Sequence, residues 1–334
     1  MSDYGNVLTL RDLAVRFGED GKPNPLINLL SQRNSLVGDI LWREGNRDTG
    51  HKFRVIAGLP GVSFRSINQG VKATRSSQIV ITESCSLIEA VSEIDKELID
   101  IAPDKELARA EESVTFLESM AQKLSKEIWY GSRAADYRGI MGLSERYSSL
   151  SGLASDQIID AGGTGNNNAS IWLVGWGPYS FHGIYPRNTK AGLEQIASGV
   201  TDLEDPDEPG ATYQGYRDRF KWRVGIALKD YRQVARICNI DVNNLLTIGT
   251  AADKSADLLL LMSRITERIG NINEGNFSFY MNRKVREAYK IQLMRKQNLA
   301  LTIDAATGKP VLAFEGHPVK VDDGLLVTEE CVAV

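Results

Sequence analysis

Residues 103–129 carry the most constraining pattern in the chain. Leu107, Ala110, Val114, Leu117, Ala121, Leu124 and Ile128 recur at alternating spacings of three and four, with glutamates and lysines on the other faces. That period is helical and predicts one buried stripe on a long helix. Pro103 stands where a first helical turn tolerates proline. A coiled-coil dimer and a helix laid across a sheet both satisfy such a stripe, and the two alanines in four heptads favour the helix on a sheet. The chain therefore needs strands on either side of this helix.

Upstream, HKFRVIAGLPGVSFRSINQG and VKATRSSQIVIT alternate basic and apolar residues from Gly50 to about Ile81, as a long β-hairpin does. Its basic positions, Lys52, Arg54, Arg65, Lys72 and Arg75, are expected to be exposed. A two-stranded ribbon is marginal by itself in water, so the hairpin implies a partner surface, and another subunit is one that would serve. Residues 1–45 are too brief and too interrupted by Pro23 and Pro25 to form a core, which suggests an arm lying on something else. Ser86-Leu-Ile-Glu89 has the pattern of a capping box and predicts a short helix.

Downstream, SIWLVGW, FHGIYP and FKWRVGIAL are rich in aromatic and branched residues and predict strands. EDPDEPG, residues 204–210, is an acidic, turn-rich loop. ADLLLLMSRITERIG returns to the helical period, with Asp253 as its expected N-cap. NFSFYMNRKVREAYK reads as a strand running into a basic helix, and the tail from Pro310 reads as β again.

Motifs for small-molecule chemistry fail on inspection. AGGTGNNNASIWLVGW holds Gly163 and Gly165, but Asn168 stands where a dinucleotide loop has its third glycine, and a strand follows instead of a helix. These glycines are expected to turn IIDA back against SIWLVGW as a hairpin, leaving Trp172 and Trp176 on one face. GTAADKSADLLLL places Ile248 and Asp253 at the two glycine positions of a phosphate loop. His51, His182 and His317 have no sequence-local partner at ligand spacing, and Ser63 lacks a nucleophile elbow. Asp322 and Asp323 suit turn solvation better than acid–base work. No catalytic residue, cofactor or metal is expected.

The bulk numbers agree. With 334 residues and 42% hydrophobic content, the chain can bury a large core in about two units. A net charge of -4 gives no general attraction to nucleic acid or to an anionic membrane. YRDRFKWRVGIALKDYRQVARI and YMNRKVREAYKIQLMRK interleave aromatics with Arg and Lys, a pattern that subunit contact explains better than DNA recognition. Cys85, Cys238 and Cys331 are far apart, which fits a reducing compartment. No apolar run approaches the roughly 20 residues that span a bilayer, and the N-terminus has no signal-peptide pattern.

TESCSLIEAVSEIDKEL, HGIYPRNTKAGL, FKWRVGIALKDYRQVARICNID, FYMNRKVREAY and FEGHPVKVDD, in this order from about residue 50 to the end, resemble the major capsid proteins of tailed phages with the Hong Kong 97 phage coat fold. The likeness is to the short-tailed, epsilon-fifteen-type group. The resemblance implies an α+β fold with a 1–45 N-terminal arm, a 46–82 extended loop, a peripheral domain of 83–150 and 301–334 with spine helix 103–129, and an axial domain of 151–300 with a permuted strand order. It implies self-assembly through hexamers and pentamers into an icosahedral shell around double-stranded DNA, touched non-specifically. The basic hairpin residues then serve inter-subunit contacts. The further partners implied are a portal, a decoration protein and a separate scaffolding protein, since about 45 residues ahead of the loop leave no room for a built-in scaffold. Some relatives join an extended-loop lysine to a peripheral-domain asparagine; Lys52 and Lys72 are candidate donors, but Gly308 to Val334 contains no asparagine, so no cross-link is expected. A nanocompartment shell of the encapsulin kind and a soluble α/β enzyme are the alternatives.

Overall fold

The computed structural model describes residues 34–333 except 152–153, 206–207, 209, 246, 249–253, 271, 273–274, 296–300 and 304–309. Most of the expected arm, part of the acidic loop and Asp253 lie outside the described residues. In chain order the helices are α1 (Ser35–Asp39), α2 (Lys96–Ile101), α3 (Lys105–Tyr130), α4 (Leu143–Arg146), α5 (Val242–Leu245), α6 (Leu258–Thr266) and α7 (Arg283–Arg295). The strands are β1 (Trp42–Glu44), β2 (Gly50–Gly58), β3 (Ser77–Ser84), β4 (Ser86–Asp95), β5 (Ile158–Asp160), β6 (Asn168–Trp176), β7 (Phe181–Tyr185), β8 (Leu193–Glu204), β9 (Thr212–Leu228), β10 (Val234–Asp241), β11 (Asn276–Met281), β12 (Leu301–Ile303), β13 (Pro310–Phe314) and β14 (His317–Val321). Twelve of these strands join one mixed sheet; β2 and β3 form a separate two-stranded ribbon.

β6 lies at the centre, antiparallel to β10 on one side and to β11 on the other, and every one of its residues is buried. Period-two side chains sort its core into two layers. Ala169, Ile171 and Leu173 join Ala235, Ile237, Phe277 and Phe279 under α6 and α7. Trp172, Val174 and Trp176 face the other way, where the C-terminal half of α3, Leu36 and Tyr147 cover them. The shared face expected for the two tryptophans is present: Trp172 lies against Trp129 with ring centroids 5.6 Å apart.

The sequence reading needs four corrections here. First, Ser86–Asp95 is a strand paired with β9 along its whole length. Leu87, Glu89 and Val91 point outward while Ser92 and Ile94 are buried, so the two-residue period outweighs the capping pattern. The helical turn begins instead after Asp95, whose carboxylate accepts from the Glu97 amide.

Second, α3 buries its stripe only in part. Ala108, Met120, Leu124, Ser125, Ile128 and Trp129 are buried, whereas Val114 is 52% and Leu117 37% exposed. The C-terminal half sinks into the main core, but the N-terminal half rests on a narrow arm of β4, β9 and β8. There Phe116 stacks on Phe220 and Arg109 forks onto Asp218, leaving the opposite side of the helix open. Pro103 precedes the N-cap, Asp104, instead of sitting in the first turn.

Third, the Gly163 loop makes no hairpin. β5 and β6 flank β10, parallel and antiparallel to it, and do not pair with each other. The loop crosses the end of β10, where the Gly163 amide donates to the Asn239 carbonyl. A Cβ on Gly163 would lie 2.4 Å from that oxygen, so glycine is needed for close approach.

Fourth, Asp322 is not solvated: it is fully buried, while its neighbour Asp323 pairs with Arg283 at 2.6 Å.

Candidate functional site

The ribbon is held firmly at its root. Gly50 is required there, since a Cβ would lie 2.0 Å from the Glu83 carbonyl oxygen across the ladder. The Asn46 side chain accepts from the Lys52 amide at 2.7 Å and donates to the Lys52 carbonyl at 2.6 Å. Arg146 forks onto Glu83 at 2.7 and 2.8 Å, and Arg133 donates to the Ser84 hydroxyl. On the inner side His51 of β2 meets His182 of β7, with ring centroids 6.1 Å apart. Burial, then Lys229, His51 and Arg43, lower His182 to a pKa of about 4. Burial, Lys229 and Arg43 also lower His51, with Glu83 opposing. Both rings are therefore neutral near pH 7.

Beyond the root the ribbon has nothing to lie on. From Gly58 to Ser77 the chain forms no strand; it turns at Ser66–Gln69 and is bridged once by the Thr74 hydroxyl donating to the Gly61 carbonyl. Leu59, Val62, Phe64 and Ile67 are each more than four-fifths exposed. Lys52, Arg54, Arg65, Lys72 and Arg75, all expected on this ribbon, are exposed and form no ion pair among the described residues. They are spread along one projecting element and do not converge on a pocket.

The buried polar groups serve the core. Asp322 accepts from the Leu36 amide at 3.0 Å, the Ser125 hydroxyl at 2.9 Å, the Trp129 indole at 3.2 Å and the Gly324 amide at 3.0 Å. Burial raises its pKa against these four bonds. It thereby ties α1, α3 and the chain after β14 together. Asp39 adds an ion pair to Lys320 at 2.7 Å and accepts from the Tyr280 hydroxyl. Behind them Arg236 pairs with Glu329 at 2.8 Å, donates to Tyr147 O and lies 5.0 Å over the Trp172 ring. Glu329 also accepts from Ser170 and Tyr130. Nothing in local spacing announces these clusters, because their members are 159 to 286 residues apart.

These groups are saturated with partners and closed to solvent, an arrangement for holding a fold together. Burial pushes the Cys85 and Cys238 thiols up to about 12 and leaves them un-ionised. The largest described cleft, about 720 Å3 between the ribbon and Tyr179, Lys229 and Arg232, contains no nucleophile paired with a base. No group of three or more His, Cys, Asp or Glu side chains among the described residues is placed to hold a metal. No described helix is long and apolar enough to cross a membrane. The basic, aromatic β9 segment is self-neutralised: Arg217, Arg219 and Arg223 pair with Glu93, Glu89 and Glu194 across the sheet.

A body whose charges are internally paired, carrying a ribbon whose charges and apolar side chains are not, defines a subunit completed by its neighbours. The chain belongs to the major capsid protein GP7 family, whose model matches residues 18–333. It is a capsid protein of the virion shell. The fold is that of the capsid subunit in the bacteriophage epsilon15 structure: TM-score 0.78, 24% identity, covering 98% of this chain and 97% of that one. Weaker likenesses are to the capsid of a native GTA particle (TM-score 0.45, 10% identity, 65% and 94% covered) and to the SrpI encapsulin of Synechococcus elongatus PCC 7942 (0.43, 14%, 70% and 97%). Among curated proteins none matches. The expected α+β, Hong Kong 97-like capsid fold is thus met, and family membership decides between a phage capsid protein and the encapsulin and enzyme alternatives.

Proposed function

We propose that many copies of this chain, arranged as hexamers and pentamers, close an icosahedral shell around packaged double-stranded DNA without catalytic turnover. The observation that carries this reading is the ribbon: its own chain leaves Phe64 fully exposed and five cations unpaired, and only a neighbouring surface can cover them. In this reading residues 1–45 are an N-terminal arm, 46–82 the extended loop, 83–150 and 301–334 a peripheral domain with α3 as its spine, and 151–300 an axial domain around the capsomer axes. Lys52, Arg54, Arg65, Lys72 and Arg75 make inter-subunit contacts. A separate scaffolding protein, a portal and a decoration protein are the expected partners, and assembly takes place in the host bacterial cytoplasm. DNA is touched without sequence preference.

Electron micrographs of the overexpressed chain, with and without the neighbouring phage genes, test this. Closed shells of uniform diameter are expected; a small, soluble oligomer under both conditions would overturn the reading. Shells are expected to dissolve fully to monomers on denaturing gels, because the segment Gly308–Val334 has no asparagine to accept a lysine.

A further inference from the structure

Two projecting elements of this chain have opposite and unmixed charge. Residues Gly50 to Thr82, the ribbon, hold five Lys or Arg and no Asp or Glu. Residues Ala191 to Tyr216, which contain β8 and the turn into β9, hold six Asp or Glu and no Lys or Arg. Glu194 is engaged by Arg223, but Asp202, Glu204 and Glu208 are exposed. So segregated a distribution is a steering device rather than a self-neutralised surface like the outer face of β9.

β8 is also an open edge. It pairs with β9 from Leu193 to Glu204 and with nothing on its other side among the described residues. Twelve residues of unpaired backbone donors and acceptors, roughly 40 Å at the usual rise, are a template for another strand. The usual protections are thin: β8 has no proline and no lysine, and one bulge near Gly199. Ile196 and Val200 stand exposed along it.

We propose that the open edge of β8, with its acidic turn, receives the basic β2–β3 ribbon of a second copy of this chain. The inference rests on the shell reading and names the surface that the ribbon meets. Lys52 and Arg54 lie on a nine-residue strand of matching extended geometry, and the apolar residues Ile56 and Leu59 beside them match the exposed Ile196 and Val200. Like charge repels the alternative pairings, ribbon on ribbon and β8 on β8.

Zero-length carbodiimide coupling of assembled particles tests this on the unaltered protein. Particles are built from a mixture of light- and heavy-nitrogen-labelled chains, so that mass spectrometry separates pairs between chains from pairs within one. Mixed-isotope pairs joining Lys52 or Lys72 to Asp202, Glu204 or Glu208 are expected. Intact shells whose ribbon lysines couple elsewhere, or whose β8 carboxylates couple to a different protein, would overturn the proposal and leave the shell reading standing. Failure of the unaltered chain to form shells at all would remove both.

A charge swap provides the second arm. Asp202→Lys/Glu204→Lys/Glu208→Lys should lower shell yield about tenfold while the subunit stays folded. Adding Lys52→Glu/Arg54→Glu/Lys72→Glu to the same chain should restore it. Normal yield from the acid-reversed variant alone, or no recovery in the combined one, contradicts the assignment.

Discussion

His51 on the ribbon and His182 on the core sheet meet at 77° between ring planes, and each has a buried Nδ1 without a hydrogen-bond partner. No carboxylate compensates His182, and only Glu83 acts on His51 in favour of the charged form. The root of the ribbon is therefore built for neutral imidazoles.

Acid should loosen this root. An unfolded histidine takes its proton near pH 6.5, whereas His182 in the fold takes it only near pH 4, so between these values the unfolded state binds more protons. The stability contribution is complete above pH 6.5 and is lost as pH falls toward 4, by about 3 kcal/mol for a shift of that size. Urea unfolding of the subunit across this range should show the slope, and His182→Gln should flatten it; an unchanged slope in the variant would locate the acid sensitivity elsewhere.

Asp322→Ala removes the acceptor of four donors at once, two of them the Leu36 amide and the Trp129 indole. Each buried donor left unsatisfied costs about 1–3 kcal/mol, and an expected total near 4 kcal/mol allows for some being rescued by water. Hydrogen exchange at the Leu36 amide should accelerate in step with the loss of stability. Exchange there as slow as in the unaltered protein would show that α1 is held by other contacts.

Arg236 and Glu329 are each almost fully buried and depend on one another. Glu329→Ala alone should cost about 3–5 kcal/mol, because it strands a guanidinium inside the core. The paired replacement Arg236→Met/Glu329→Leu should cost less than either single change. Thermal melts of the three variants decide the matter: a double variant weaker than both singles would mean that Ser170 and Tyr147 O depend on the ion pair for their own placement.

On α3 the two halves should respond oppositely. Leu124→Ala or Ile128→Ala opens a cavity in the main core and should cost about 2–5 kcal/mol. Val114→Gln on the exposed side should change subunit stability by less than about 0.5 kcal/mol. Urea midpoints of the folded subunit compare them directly; equal losses would mean that Val114 is covered in the folded subunit.

The elements legible in the sequence were those with a single uninterrupted period. α3 was expected over 103–129 and runs from Lys105 to Tyr130, and the ribbon and the strands around Trp172, Phe181 and Phe220 also lie where the pattern placed them. Ser86–Asp95 was misread because its first four residues satisfy a local capping pattern whose alternation becomes visible only over ten. The Gly163 loop was misread for a different reason: its turn residues are genuine, but which strand lies between its arms is decided by β10, about 70 residues later. Asp322 looked like a turn residue since nothing nearby reveals that Leu36 and Trp129 will close over it. Of the assembly surface, the ribbon and its five cations were visible, while the histidine contact at its root joins residues 131 positions apart, beyond the reach of local spacing.

β9 runs without a break for 17 residues, pairing with β8 and β4 in the arm and then with β7 in the body. A pull along this strand acts across its ladder bonds and shares the force among many of them simultaneously. The ribbon, attached only at Gly50 and Ser84, would be peeled one pair after another. Under outward pressure from a tightly packed genome, β9 is then a girder and the ribbon root is the joint that yields first.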